Sequence, residues 1–164
     1  MVGALQTGRA GRVLVLDDDP AMRRVLARVL RWRDYAPVLA ASAAEALAAL
    51  DGAPFVAMTI DQDLGFGQSG LDFARQVHAR LGTRTPALIL VSASVAELPE
   101  AGRELFAAIH CKPFHALALL DELDRLVGRA KDQMGSGVRR RLAKTRPRHV
   151  HRPLGRRRLG GRRR

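Results

Sequence analysis

The sequence predicts a doubly wound α/β fold, a five-stranded parallel sheet with helices on both faces, and three observations carry that reading. Short apolar runs alternate with segments of helical periodicity along most of the chain. The runs are apolar almost throughout, as strands covered on both faces require. They stop at charged or hydroxyl residues followed by Gly or Pro, where a strand gives way to a loop.

VLVL, residues 13–16, is the first strand and ends in Asp17, Asp18, Asp19 and Pro20. Pro20 suits the first turn of a helix, where a missing N–H costs little. Met22, Val25, Leu26, Val29 and Leu30 form the apolar stripe of that helix, with Arg23 and Arg24 on its wet face. APVLAA, residues 36–41, is the second strand, and Ser42 with Glu45 matches a capping box opening a helix to about Leu50. Phe55 to Ile60 is the third strand, with Asp61 at its carboxyl end. Gly65, Gly67 and Gly70 supply an open loop, and Leu71, Ala74, Val77 and Leu81 line one face of the next helix. After Pro86, ALILV is a fourth strand closing at Ser92. Between Ser94 and Phe106, Pro99 predicts a short or broken helix. AAIHC, residues 107–111, is the fifth strand, ending at Lys112 and Pro113, and Leu117, Leu120, Leu123 and Val127 mark the last helix.

The formal net charge of +12 conceals two unlike parts. Residues 1–128 hold 13 Lys and Arg against 15 Asp and Glu, whereas residues 129–164 hold 15 against 1. The expected organisation is a flexible leader over 1–11, a folded domain over 12–128 and a basic, disordered tail over 129–164. With few apolar residues and no aromatic ring the tail cannot bury a core; its charge suits nonspecific contact with nucleic acid or an anionic surface. Arg, Gly and Pro are also what a misread GC-rich coding end yields, so composition alone assigns the tail no role. No apolar run approaches the roughly 20 residues of a membrane span and no secretory signal opens the chain, so a cytoplasmic protein is expected. The single cysteine, Cys111, excludes an intramolecular disulfide and is expected to be a buried core thiol. His78, His110 and His115 have no spacing partner and read as surface or packing residues. His149 and His151 read as a solvated pair.

The strand ends carry the chemistry: Asp17 and Asp18 after the first, Asp61 after the third, Ser92 after the fourth and Lys112 after the fifth. In an open parallel sheet all lie on one edge, beside the crevice where strand order reverses. Three carboxylates so placed need compensation, and a hard divalent cation with an ammonium nearby supplies it. Mg²⁺ suits such a site, taking carboxylate and carbonyl oxygens and bridging readily to phosphate. The same set suits phosphoryl transfer to an Asp carboxylate, with Lys112 and the Ser92 hydroxyl facing the phosphoryl oxygens.

The strings VLVLDDDP, IDQDLGFGQSGLD, LILVSA and CKPF, in this order, resemble the receiver domains of bacterial two-component response regulators, of the stand-alone, chemotaxis-regulator type. The resemblance covers residues 12–128 and implies a flavodoxin-like strand order 2-1-3-4-5. It implies that Asp61 is the phosphoacceptor, that Asp17, Asp18 and Asp61 hold Mg²⁺ together with the backbone carbonyl of Asp63, and that Ser92 and Lys112 are the hydroxyl and ammonium residues, with Lys112–Pro113 cis. It implies a phosphoacceptor switch rather than an enzyme with a separate substrate, limited to self-directed phosphoryl transfer and autodephosphorylation. The expected partners are a histidine kinase or phosphotransfer protein and an output protein that the sequence does not name. Asp19 reads as a solvated turn residue.

The chain departs from the family pattern in three places. Glycines replace the proline usual after the acceptor, in a loop one residue longer than the commonest form. The side chain of Asp63 brings a charge near the incoming phosphate, where it is expected to slow phosphorylation or alter dephosphorylation. Ile109 stands where many members carry an aromatic ring that couples to the hydroxyl residue, with Phe106 the neighbouring aromatic. Two other functions are weighed beside the receiver. One is a nucleic-acid-binding adapter acting through the Arg-rich tail under control of the folded part. The other is a phosphatase, since Asp61-Gln62-Asp63 also resembles the Asp-x-Asp pair of haloacid-dehalogenase-like enzymes.

Overall fold

A computed structural model of the chain describes residues 10–65, 67–93 and 98–128. Residues 1–9 of the expected leader, Phe66, residues 94–97 and the tail, with His149 and His151, lie outside the described residues.

Five strands, β1 (Gly11–Leu16), β2 (Tyr35–Ala40), β3 (Ala57–Asp61), β4 (Ala87–Ser92) and β5 (Ala108–Cys111), form one sheet in the order β2-β1-β3-β4-β5. All four pairings are parallel. The helices between them are α1 (Pro20–Arg31), α2 (Ala43–Ala49), α3 (Gly70–Leu81) and α4 (Glu100–Arg103), and α5 spans residues 116–128. This is the doubly wound, flavodoxin-like order that the sequence implies.

Period-two alternation along the strands divides the apolar residues between two cores. Leu14, Leu16, Met58, Ile60, Leu88 and Leu90 face α2, α3 and the chain around α4. Val13, Val15, Ala57 and Ile89 face α1 and α5. Fully buried strands need no polar alternation, which is why their sequence reads as continuous apolar runs.

The helix starts are set locally. Asp19 caps α1 by accepting from the Ala21 amide at 2.8 Å, with Pro20 at the first helical position. The expected capping box holds at α2: the Glu45 amide donates to Ser42 Oγ, and the Glu45 carboxylate accepts from the amide of Ala41, one residue before the cap. Ser69 caps α3 through the Asp72 amide. The segment around Pro99 yields a single turn, α4, with Gly102 packed so tightly on Leu71 that a Cβ would stand 2.8 Å from its Cδ1.

Four expectations are corrected. In α1, Val25 is 53 % exposed, because Ala27 rather than Val25 completes the buried face with Leu26, Val29 and Leu30. In α5, Leu117 is 60 % exposed and the buried stripe is Leu119, Leu120, Leu123 and Val127. Arg23 is not confined to the wet face of α1; its guanidinium donates to the Asp17 carbonyl at 2.6 Å. Cys111 is exposed rather than a core thiol, because it closes the edge strand β5 at its open end.

The lone tyrosine ties the two sides of one face together. Tyr35, buried at the start of β2, donates to Asp124 Oδ1 of α5 at 2.7 Å, and Arg33 pairs with both Asp124 and Asp121. Burial, then the hydrogen bond and the charge of Asp124, raise the pKa of the phenol above its ordinary value. A folded-state value above the unfolded one, about 10, means this contribution is complete below about pH 10 and lost as pH rises through the raised value. Tyr35→Phe is expected to cost about 1 kcal/mol at neutral pH, and to flatten the fall of stability above about pH 10. Denaturant midpoints across pH, read beside tyrosinate absorbance of the wild type, check both.

Candidate functional site

The carboxyl ends of β1, β3, β4 and β5 gather the polar groups at one edge. Register does the first part: Leu16 pairs with Ile60, so the residues that follow, Asp17 and Asp61, stand side by side on neighbouring strands. Backbone bonds hold the other ends level, Gln62 N to the Val91 carbonyl at 3.2 Å and Lys112 N to the Ser92 carbonyl at 2.7 Å. Lys112–Pro113 is cis.

Asp17, Asp61 and Ser92 are buried, at 1 %, 8 % and 3 % exposed, while Asp18 is open to solvent. Lys112 Nζ donates to Asp61 Oδ2 at 2.8 Å and to Asp17 Oδ2 at 3.3 Å. Burial raises the pKa of Asp17, and the nearby Asp61 adds to it; the Asp19 amide and Lys112 pull the other way without cancelling the effect. For Lys112 burial lowers the pKa, but the hydrogen bond to Asp61 and the charges of both carboxylates outweigh it, and the net direction is upward. The ammonium is fixed in its charged form while the carboxylate beside it is disfavoured. The pocket holds more negative charge than it neutralises.

Asp17, Asp18 and Asp61 each offer a carboxylate oxygen within 4.8 Å of the other two, the one such cluster of potential metal ligands among the described residues. All donors are hard oxygens, the set that suits Mg²⁺ rather than a softer metal. Asp19 is not in the cluster, its side chain being spent on capping α1.

The loop after β3 is a small hairpin. Asp63 and Ser69 form an antiparallel bridge, Leu64 N donates to the Gln68 carbonyl, and Gln68 N donates to the Gly65 carbonyl. Gly65 and Gly67 both have positive φ, +70° and +76°. The exposed Asp63 side chain accepts from the Gly65 amide at 3.0 Å. Gly70 closes the hairpin, donating to the Gln62 carbonyl at 2.8 Å; a Cβ there would lie 2.2 Å from the Asp61 carbonyl oxygen, so the position admits glycine alone. The sequence marks these glycines as loop formers but not Gly70 as the residue that lets α3 start against the backbone of Asp61.

The five strand-end residues singled out from the sequence thus lie at one sheet edge, four of them, Asp17, Asp18, Asp61 and Lys112, in one cluster. Phe106 does not replace the ring missing at Ile109. It precedes β5, and the next residue, Ala107, bonds to the Leu88 carbonyl, four residues before Ser92 in β4. At about 3.3 Å per strand residue that is more than about 10 Å from the site edge.

A cluster of carboxylates and one lysine at the switch point of a doubly wound sheet defines a cation- and phosphate-handling site. The response regulator receiver domain model matches residues 13–123. The chain belongs to that family, whose members are phosphoacceptor switches phosphorylated by histidine kinases, and this sets aside the haloacid-dehalogenase-like phosphatase. Among solved structures, a sensor protein from Polaromonas sp. JS666 shares 30 % identity over 72 % of this chain and 96 % of its own, with a TM-score of 0.66. The response regulator TrrA from Thermotoga maritima, solved in complex with Mg²⁺ and BeF, shares 23 % identity over 70 % of this chain and 97 % of its own, with a TM-score of 0.63. A CheY-like receiver domain protein from Methanospirillum hungatei shares 20 % over 74 % and 97 %, with a TM-score of 0.65. No curated protein matches the sequence. Among the described residues, no helix is long and apolar enough to cross a membrane.

An isosteric substitution tests the electrostatic reading. Asp17→Asn removes a buried charge while keeping an acceptor for the Asp19 amide and leaving Lys112 paired with Asp61. Without divalent cation the variant is expected to be more stable than the wild type by about 1 kcal/mol, and to lose most of the stabilisation that added Mg²⁺ gives. Thermal unfolding with and without Mg²⁺ measures both.

Proposed function

We propose that the chain is a response regulator whose Asp61 accepts a phosphoryl group from a histidine kinase or phosphotransfer protein, switching a partner-binding face. The observation that carries this reading is Lys112 Nζ bridging Asp61 and Asp17 beside a third carboxylate, Asp18. Asp17, Asp18 and Asp61 would hold Mg²⁺, with the Asp63 backbone carbonyl as a further ligand by family resemblance; the bound cation supplies charge neutralisation at the phosphoryl oxygens. A carboxylate oxygen of Asp61 attacks phosphorus, the bond from phosphorus to the donor breaks, and its electron pair leaves with the donor. Lys112 faces the charge of the transferred group and the Ser92 hydroxyl donates to one of its oxygens, while the walls around Asp17 and Asp61 limit water. The face that answers is the one around residues 94–126, of which 94–97 lie outside the described residues; it begins beyond Ser92 and includes Lys112.

Incubation with Mg²⁺ and acetyl phosphate, followed by intact mass measurement, is expected to add one phosphoryl group to the wild type and none to Asp61→Asn. The adduct should be labile to hydroxylamine. An equal adduct on both proteins would overturn the assignment. In the same assay Asp63→Asn should change the rate of phosphorylation or of decay, since it removes a charge beside the site; unchanged rates would show that the carboxylate serves its own turn alone.

A second reading rests on the charge division, 15 basic residues against 1 in residues 129–164. We propose that residues 12–128 are the receiver, residues 1–11 a leader, and residues 129–164 a polycationic extension that binds nucleic acid or an anionic surface. Deleting 129–164 should abolish salt-dependent binding to a duplex DNA of arbitrary sequence and leave phosphorylation intact.

A further inference from the structure

The glycine-rich hairpin approaches the acidic turn at one point. A Cβ built on Gly65 would stand 3.3 Å from Asp18 Oδ2, closer than ordinary contact, and among the described residues, its chain neighbours aside, no other heavy atom lies within 4 Å of it. Gly67, two residues on, has nearly the same left-handed backbone, but a Cβ there would meet nothing within 4 Å among the described residues other than its chain neighbours. Four hydrogen bonds hold the hairpin: the Gly65 amide on Asp63 Oδ1, Leu64 N on the Gln68 carbonyl, Gln68 N on the Gly65 carbonyl, and Gly70 N on the Gln62 carbonyl beside Asp61. Gly65 is therefore pinned by both its amide and its carbonyl, with its Cα turned to the one solvent-open carboxylate of the cluster.

We propose that Gly65 is a spacing residue of the cation site: the absence of a side chain there leaves Asp18 Oδ2 free to serve as a ligand. This rests on the reading of Asp17, Asp18 and Asp61 as the Mg²⁺ site and adds a position that sets its affinity without being a ligand. A methyl group at 65 displaces the Asp18 carboxylate by a few tenths of an ångström and covers part of its open side. Because hard octahedral coordination by Mg²⁺ tolerates little ligand displacement, affinity responds to a shift of that size. Asp63 acts one step further away, as the acceptor that fixes the Gly65 amide.

The test measures MgCl₂ binding to the full chain by titration calorimetry, with no phosphodonor present. Gly65→Ala is expected to weaken binding about tenfold, whereas Gly67→Ala, with similar left-handed backbone strain, stays within about twofold of the wild type. In an Asp18→Asn background the Gly65→Ala effect should vanish, because the methyl group acts through that carboxylate. Gly65→Asn, which suits a left-handed backbone yet carries a Cβ, should reproduce the loss and serves if the alanine variant does not fold. Equal affinities for Gly65→Ala and Gly67→Ala, or a Gly65→Ala loss that persists in the Asp18→Asn background, overturn the spacing role and leave the metal site standing. A wild type that does not bind Mg²⁺ overturns the metal site itself.

Discussion

One ammonium among three carboxylates is the constraint around which this molecule is arranged. Lys112 reaches both Asp17 and Asp61 although β5 lies two strands from β3 and three from β1. Only a long, flexible stem spans that distance from the edge of the sheet, which is why a lysine stands there and no shorter cation would serve. The charge is conserved through the span: the pair of carboxylates holds the ammonium protonated, while burial works against Asp17. Burial of Asp17 counts against folding here, while the Lys112 pairings count for it. The apolar burial lies beneath the site in two layers, Leu14, Leu16 and their neighbours on one side and Val13, Val15 and theirs on the other.

The backbone around the site is specified as tightly as its side chains. Gly70 lets α3 begin in contact with the Asp61 carbonyl, and Arg23 donates to the Asp17 carbonyl from the first turn of α1. The two acidic strand ends are thus each tied to the helix that follows them. Asp18 alone stays exposed, so a cation has one ligand to meet from solvent before it reaches the two that are buried.

The architecture was legible in the sequence because parallel strands buried on both faces are written as unbroken apolar runs, and each ends where a polar residue appears. Asp17, Asp61, Ser92 and Lys112 stand out against that background one by one. Less was legible wherever a residue's fate depends on the element packed over it. Val25 and Leu117 fit a helical stripe by spacing, but Ala27 and Leu119 face the sheet instead, a rotation of the helix that spacing alone does not fix. Cys111 follows the apolar residues of β5, yet an edge strand exposes its last residue. The approach of Gly65 to Asp18 joins residues 47 apart through a hairpin whose geometry no local pattern records.

Counting charges shows what phosphorylation would demand of this pocket. Three carboxylates against one ammonium leave an excess that one divalent cation balances. Turning the Asp61 carboxylate into an acyl phosphate replaces a single negative charge with close to two, so the balance is lost again by about one charge. The groups at hand to answer it are donors at the ends of β4 and β5, Ser92 and Lys112, which are joined by the 2.7 Å bond between Lys112 N and the Ser92 carbonyl. In receivers with an aromatic ring three residues before the lysine, that ring can move with the hydroxyl residue; Ile109, partly buried against the core, has no polar tip to follow it, and Phe106 sits at the wrong level of the sheet. A phosphoryl group on Asp61 would therefore have to be answered through Ser92 and Lys112 themselves, with no ring at position 109 to relay it.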